Sequence, residues 1–186
     1  MPKKLKKRSG AMANPTQIKP LRKKDDLVRV VVETPKGSRN KYVFDAEREV
    51  FTLKKVLPAG MAFPYDFGFV PQTEAEDGDP LDVLLLMEEP AFPGCVILCR
   101  LIGMIEGEQQ EKDGTKERND RLLAVEAGNH AYYDLKHVNE LPQQLLREIG
   151  EFFVNYHKLD GSSFRVIRVK GPTEARRRID SERAAA

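Results

Sequence analysis

Along most of the chain, hydrophobic positions fall in short runs broken by turn-forming residues. From residue 27 onward, Leu27–Glu33, Lys41–Asp45 and Val50–Val56 read as strands, with the turn-rich stretch Pro35–Asn40 between the first two. Closely spaced strands joined by tight turns predict antiparallel β structure, here a barrel. Leu81–Met87, Cys95–Met104, Leu122–Val125 and Phe164–Val169 extend the strand set. The period changes after Pro142, a residue suited to a first helical turn. Leu145, Ile149, Phe152 and Tyr156 then share one helical face, and Gly161 ends the element. A second helix starts at Thr173 with Glu174 behind it and runs through Arg176, Arg177 and Arg178. Its charged composition predicts a surface helix or a frayed tail. No internal repeat is present.

Composition narrows the class. The 186 residues are 40% hydrophobic and 32% charged, and no apolar run approaches the roughly 20 residues that span a bilayer. The length fits one core with tails. The net charge of +2 conceals an asymmetry: residues 1–24 carry nine basic side chains and no acidic one, which leaves 22 basic and 29 acidic residues, a net of −7, in the remainder. The basic stretch also holds Pro2, Ser9, Gly10, Pro15 and Pro20 and reads as a flexible, solvated tail, with a polyanion or nucleic-acid contact as its weaker alternative. The expected organisation is a tail over 1–24, a domain over 25–172 and a C-terminal helix or tail over 173–186. Cys95 and Cys99 lie on one strand, about 13 Å apart at strand rise, beyond the roughly 7 Å a disulfide tolerates, so both read as buried free thiols. The N-terminus lacks an apolar signal segment, and the expected address is cytoplasmic.

The chemistry concentrates in Asp77-Gly78-Asp79-Pro80-Leu81-Asp82, three carboxylates in six residues that open directly into an apolar strand. Carboxylates gathered beside apolar surface cost several kcal/mol unless a cation or hydrogen bonds compensate them. An Asx-rich surface turn is the bland explanation. An EF-hand is excluded, because Asp82 stands where that loop needs glycine and Pro80 breaks the ligand spacing. Asp79 and Asp82 would face opposite sides of a straight strand, so the turn must bend to bring them together. Lys41, Lys54, Lys55 and Arg121 sit at strand ends, where a carboxylate-held cation and surrounding bases would suit a small phosphorylated anion.

These residues carry a resemblance. Residues 27–172 look like a family I soluble inorganic pyrophosphatase. The Asp-Gly-Asp-Pro-x-Asp motif is complete at 77–82, and Glu33–Tyr42, Phe63–Phe69, Val138–Pro142 and Phe152–Tyr156 follow the family's order. The resemblance implies a mainly β fold with peripheral helices around an OB-like five-stranded barrel. It also implies a homo-oligomer, often a hexamer, that hydrolyses pyrophosphate to two phosphates with Mg²⁺, or with Mn²⁺ as the alternative. Carried over, Asp77, Asp82 and Glu33 hold metal, with Asn119 and Asp120 as further candidates; Asp79 is the general base; Lys41, Lys55, Arg121 and Tyr156 bind substrate.

The chain departs from the family pattern at several positions. Val43 replaces a glutamate, Phe63 and Phe67 replace tyrosines, and Gln109 and Asn119 fall where aspartates are usual. Lys55 stands for arginine, Arg121 for lysine, and His157 for the lysine after the tyrosine, with Lys158 one place late. Glu108, Glu111 and Asp120 are the acids near enough in sequence to substitute. The alternative reading is therefore a catalytically weak or inactive relative that binds phosphate compounds or a partner. A nucleic-acid-binding OB module ranks third, because its aromatics sit beside carboxylates that repel phosphate.

Overall fold

The computed structural model describes residues 14–22 and 26–183. Ten strands and two helices follow one another as β1 (Leu21–Arg22), β2 (Leu27–Thr34), β3 (Asn40–Asp45), β4 (Val50–Val56), β5 (Asp66–Phe69), β6 (Asp82–Leu86), β7 (Val96–Gln110), β8 (Lys116–Arg118), β9 (Arg121–Glu126), α1 (Gln143–Leu159), β10 (Ser163–Lys170) and α2 (Pro172–Ser181). Five of the strands form a closed ring: β2 pairs β5, β5 pairs β6, β6 pairs β9, β9 pairs β7, and β7 returns to β2. Only the β6–β9 pairing in that ring is parallel. β1, β8 and β10 add to its edges, and β3–β4 forms a separate hairpin.

The apolar run Val83-Leu84-Leu85-Leu86 does not alternate with polar residues because both faces of β6 are covered. Val83 and Leu85 point into one cluster with Val30, Leu122 and Ala124, while Leu84 and Leu86 point into a second with Leu123, Ile149 and Phe153. α1 supplies the second cluster, and its buried residues are Ile149, Gly150, Phe153 and His157. Full burial of each such Leu, Ile or Phe is worth about 1.5–3 kcal/mol.

The strand set and the tail differ from expectation. β5 and the short β1 and β8 were not read from the sequence, and β7 runs six residues further than the strand expected there. α2 is a surface helix rather than a frayed tail, and its charged face is backed by Ala175 and Ile179, fully buried against the first cluster. Their i, i+4 spacing gives a narrow apolar seam inside a charged run. Of the expected tail, residues 1–13 and 23–25 lie outside the described residues. Residues 14–22 are anchored: Asn14 caps the 3₁₀ turn Pro15–Gln17, and β1 pairs antiparallel with β2. Cys99 is buried and Cys95 half-buried, both free. Among the described residues no helix is long and apolar enough to cross a membrane.

Gly107 sets how closely β7 approaches the corner before β9. It accepts from Asn119 N–H at 3.0 Å, and a Cβ there would overlap the Phe164 ring and lie 2.7 Å from the Asn119 carbonyl oxygen. Gly107→Ala is therefore expected to cost about 1–3 kcal/mol by overpacking. Urea unfolding measures it, and an unchanged midpoint would show that the corner yields freely.

Candidate active site

One cavity of about 920 Å³ opens between the β3–β4 hairpin, the loop before β6, the start of β9 and the C-terminal half of α1. Its basic wall comes from the hairpin, where Lys41 and Lys55 stand directly opposite each other. Like charges so placed destabilise a strand pair. Here each ammonium rests on an aromatic face, Lys41 at 3.9 Å from the Phe67 ring centre and Lys55 at 3.6 Å from that of Tyr156. Lys55 also pairs with Asp160 at 2.5 Å. Lys41 is buried, and burial pushes its pKa down against the pull of Asp82 and Glu33.

The acidic wall is the loop from Val70 to Leu81. Its base is closed by Val70 N–H donating to Leu81 O at 2.9 Å. The Thr73 hydroxyl donates to Val70 O at 2.6 Å and accepts from Leu81 N–H at 2.9 Å. At the tip Gly78 takes φ +81°, a conformation that favours glycine, and Asp77 accepts from Asp79 N–H at 3.1 Å. This turn is the bend the sequence requires, and Asp77, Asp79 and Asp82 all line the cavity.

The start of β9 joins the two walls. Arg121, almost fully buried, pairs with Asp82 at 2.9 Å and donates to Asn119 Oδ1 and, at 3.1 Å, to the Asp120 carbonyl. Asn119 in turn donates to Gln109, and Gln109 to Glu111, so that a chain of hydrogen bonds crosses the cavity floor. Arg121 stacks over Phe153, 5.0 Å from the ring centre.

Of the residues named from the sequence, Glu33, Lys41, Lys55, Asp77, Asp79, Asp82, Asn119, Arg121 and Tyr156 line this one cavity. Asp120 does not, which corrects its candidacy as a metal ligand. Side chains alternate across an extended segment, so Asn119 and Arg121 face the cavity and Asp120 faces away. There its side chain is fully buried, bonded at both oxygens by Arg118 Nη2 at 3.0 Å, by Arg118 Nε at 3.2 Å and by Gly107 N–H at 3.1 Å, with Arg178 3.2 Å away. Glu108 is likewise engaged elsewhere, by Arg165 and Lys116. Glu111 does line the cavity.

Burial raises the Glu33 pKa to about 7 despite the pull of Lys41 and a hydrogen bond from Phe44 N–H. Burial also raises Asp77, and the neighbouring charges of Asp79 and Asp82 add to it. Among the described residues no three His, Cys, Asp or Glu side chains already stand at metal-ligating spacing. The donor set is nonetheless all oxygen and carries uncompensated like charge at Asp77, which fits a hard divalent cation.

The sequence model of inorganic pyrophosphatase matches residues 30–186. The chain belongs to the inorganic pyrophosphatase family. The inorganic pyrophosphatase of Synechocystis sp. is 44% identical over 141 residues, covering 76% of this chain and 80% of that protein. The inorganic pyrophosphatase of Geobacillus stearothermophilus is 37% identical over 154 residues, covering 83% and 90%. Among solved structures, the inorganic pyrophosphatase of Thermus thermophilus superposes with a TM-score of 0.84 at 30% identity, covering 91% of this chain and 97% of that one.

Several features of this pyrophosphatase site escape sequence reading. Asp160 anchors Lys55, yet before Gly161 it reads only as the end of a helix. Ser162 and Thr16 also line the cavity, and neither stands in a motif. His157 lies against the Phe164 ring, 5.2 Å between centres and nearly parallel, with Nε2 buried and unpartnered. Burial first, then the charges of Arg121 and Lys55, lowers its pKa from 6.5 to about 4.

That shift has a defined sign. The folded protein disfavours the imidazolium, so His157 contributes stability above pH 6.5, and the contribution is lost as pH falls from 6.5 towards 4. The loss is expected to reach about 3 kcal/mol. Urea unfolding at pH 4.5 and 7.5 measures it by comparing the wild type with His157→Gln. A pH dependence that survives the substitution unchanged would assign the effect to other groups.

Proposed function

We propose that this cavity hydrolyses inorganic pyrophosphate to two phosphates. The observation that carries the reading is the opposition, within one cavity, of the Asp77–Asp82 loop to Lys41, Lys55 and Arg121. A small, highly charged anion meets both walls at once, its oxygens on the bases and its excess charge against a cation held by the carboxylates.

Each side chain has a chemical part. Lys41, Lys55 and Arg121 bind the phosphate oxygens, and Tyr156 donates through a hydroxyl whose pKa burial raises, so that it stays protonated. Asp77, Asp82 and Glu33, with the amide oxygen of Asn119, would hold Mg²⁺, or Mn²⁺ as the alternative. When bound, such a cation offsets negative charge and makes water more acidic. Asp79, at the tip of the turn, accepts the proton that the attacking water loses as its oxygen bonds to phosphorus and the bridging P–O bond breaks. Lys41 and Lys55 take up the charge that develops on the departing phosphate.

One observation favours the second reading, a weakly catalytic member of the family. Asp82 is held by Arg121, and the amides of Asn119 and Gln109 are bonded to each other, so the neutral floor gives a cation less charge to bind. A homo-oligomer, hexameric on the family resemblance, and a cytoplasmic address belong to the same proposal; sedimentation of the purified protein tests the former.

Phosphate release across a Mg²⁺ titration separates the two readings. Asp79→Asn is expected to lower kcat about 10²–10⁴-fold, the range for losing a general base, while calorimetry finds cation affinity retained. Asp82→Asn is expected to weaken cation binding. Equal losses of affinity in both would overturn the roles assigned. Asn119→Asp returns a carboxylate to the floor, where a unit charge at about 4 Å is worth about 4 kcal/mol before desolvation. It is expected to lower the Mg²⁺ needed for turnover, and an unchanged requirement would point to Glu111 as the acid already serving there.

A further inference from the structure

The buried Asp120 carboxylate stands directly behind the site, and nothing in the chemistry above uses it. Its partners come from three places: Gly107 on β7, Arg118 at the end of β8, and Arg178 on α2. Arg178 also donates to Glu182 at 2.5 Å, one turn further along the chain. The same chain end reaches the acidic wall. Glu182 O accepts from Glu74 N–H at 2.8 Å, and Arg183 forms a bridge with Thr73, the residue whose hydroxyl closes the loop bearing Asp77 and Asp79.

We infer that α2 is a positioning element for the pyrophosphate site, acting on Arg121 through the Arg178–Asp120 ion pair and on the aspartate loop through Glu182. Asp120 is the lever. Its side chain is gripped from behind, and its own carbonyl oxygen, 3.1 Å from Arg121 Nη1, helps to hold that guanidinium in the cavity. Releasing the grip leaves the Asp120 carboxylate held, among the described residues, by Gly107 and Arg118, and the latter is about one-third exposed at 35%. Because Arg121 contacts bound anion in the ground state as well as during reaction, its misplacement weakens binding more than the chemical step. The inference rests on the pyrophosphatase reading, and binding and turnover are therefore measured separately.

Arg178→Gln is the first variant. It is expected to raise KM for pyrophosphate, and its Kd by calorimetry, about tenfold with kcat within about twofold of wild type. It should also lower the unfolding midpoint, because Asp120 is left buried with one partner fewer. The double variant Asp120→Asn/Arg178→Gln removes both charges. It is expected to recover most of the midpoint while KM and Kd stay raised, a split that a merely structural ion pair would not produce. Wild-type affinity in Arg178→Gln, or affinity recovering together with stability in the double variant, would overturn the inference. So would failure of the double variant to fold, since the pair would then be needed for the fold itself. Should Arg178→Gln alone fail to fold, the double variant decides. A wild type that binds pyrophosphate without hydrolysing it would sink the activity reading and leave the positioning role to be judged on Kd.

Discussion

The ion pair between Asp82 and Arg121 is the constraint around which the site is arranged, and strand register produces it. β6 and β9 run parallel with Val83 beside Leu122, so the residues one place earlier on each strand emerge together at the same end of the ring. The next four residues of each strand, Val83–Leu86 and Leu122–Val125, are apolar and buried, and the pair marks where the core stops and the cavity begins. Removing two ions from water costs several kcal/mol each, and their attraction repays this only with good geometry and further hydrogen bonds. Arg121 obtains these from Asn119 and the Asp120 carbonyl, and Asp82 remains partly exposed at 26%. The pair joins the acidic wall to the basic one before any ligand arrives.

The bases share a second device. Lys41 lies over Phe67, Lys55 over Tyr156 and Arg121 over Phe153, and the last two rings come from successive turns of α1. An aromatic face attracts a cation by its quadrupole, by about 0.5–2 kcal/mol depending on desolvation, without neutralising it. Lys41 has no carboxylate within ion-pair distance among the described residues and Arg121 has only Asp82, so positive charge is kept available for an incoming anion. This also explains how Phe63 and Phe67 serve where the family has tyrosines. They lose a hydroxyl donor and keep the ring that seats Lys41.

How much of this the sequence disclosed follows from which signals are local. The Asp77–Asp82 turn carries its own bend in Gly78, and four of the five strands of the ring are legible as apolar runs, as is α1 from its i, i+3, i+4 face. β5 was not legible, because Asp66-Phe67-Gly68-Phe69 mixes a buried acid and a glycine into four residues. Among the described residues Asp66 is satisfied by the Lys36 and Ala91 N–H groups, 30 and 25 residues away. For α2 the sequence leaves a surface helix and a frayed tail open, because two buried side chains, Ala175 and Ile179, are all that distinguishes it from a solvated basic helix. Assigning Asp120 to the cavity alongside Asn119 overlooked that adjacent residues of an extended segment face opposite ways.

That alternation has a consequence for the corner of residues 119–121, which is polar on both faces although it lies beside two apolar clusters. Arg121 and Asn119 on the cavity side are compensated by Asp82 and Gln109, and Asp120 on the other by Arg118 and Arg178. Arg121 Nε and Arg178 Nε and Nη2 are buried without a hydrogen-bond partner among the described residues, so the network is held partly by charge, and its compensation is shared between elements distant in sequence. Gly107 is where the two sides meet. Its carbonyl accepts from Asn119 N–H and its N–H donates to the Asp120 carboxylate. Holding both groups through the backbone of one residue that has no side chain allows the corner to sit close against Phe164, and through it against His157 and α1. The cavity floor is thus fixed by groups that never face the cavity, and a change behind it is transmitted to Arg121 without touching any residue that meets substrate.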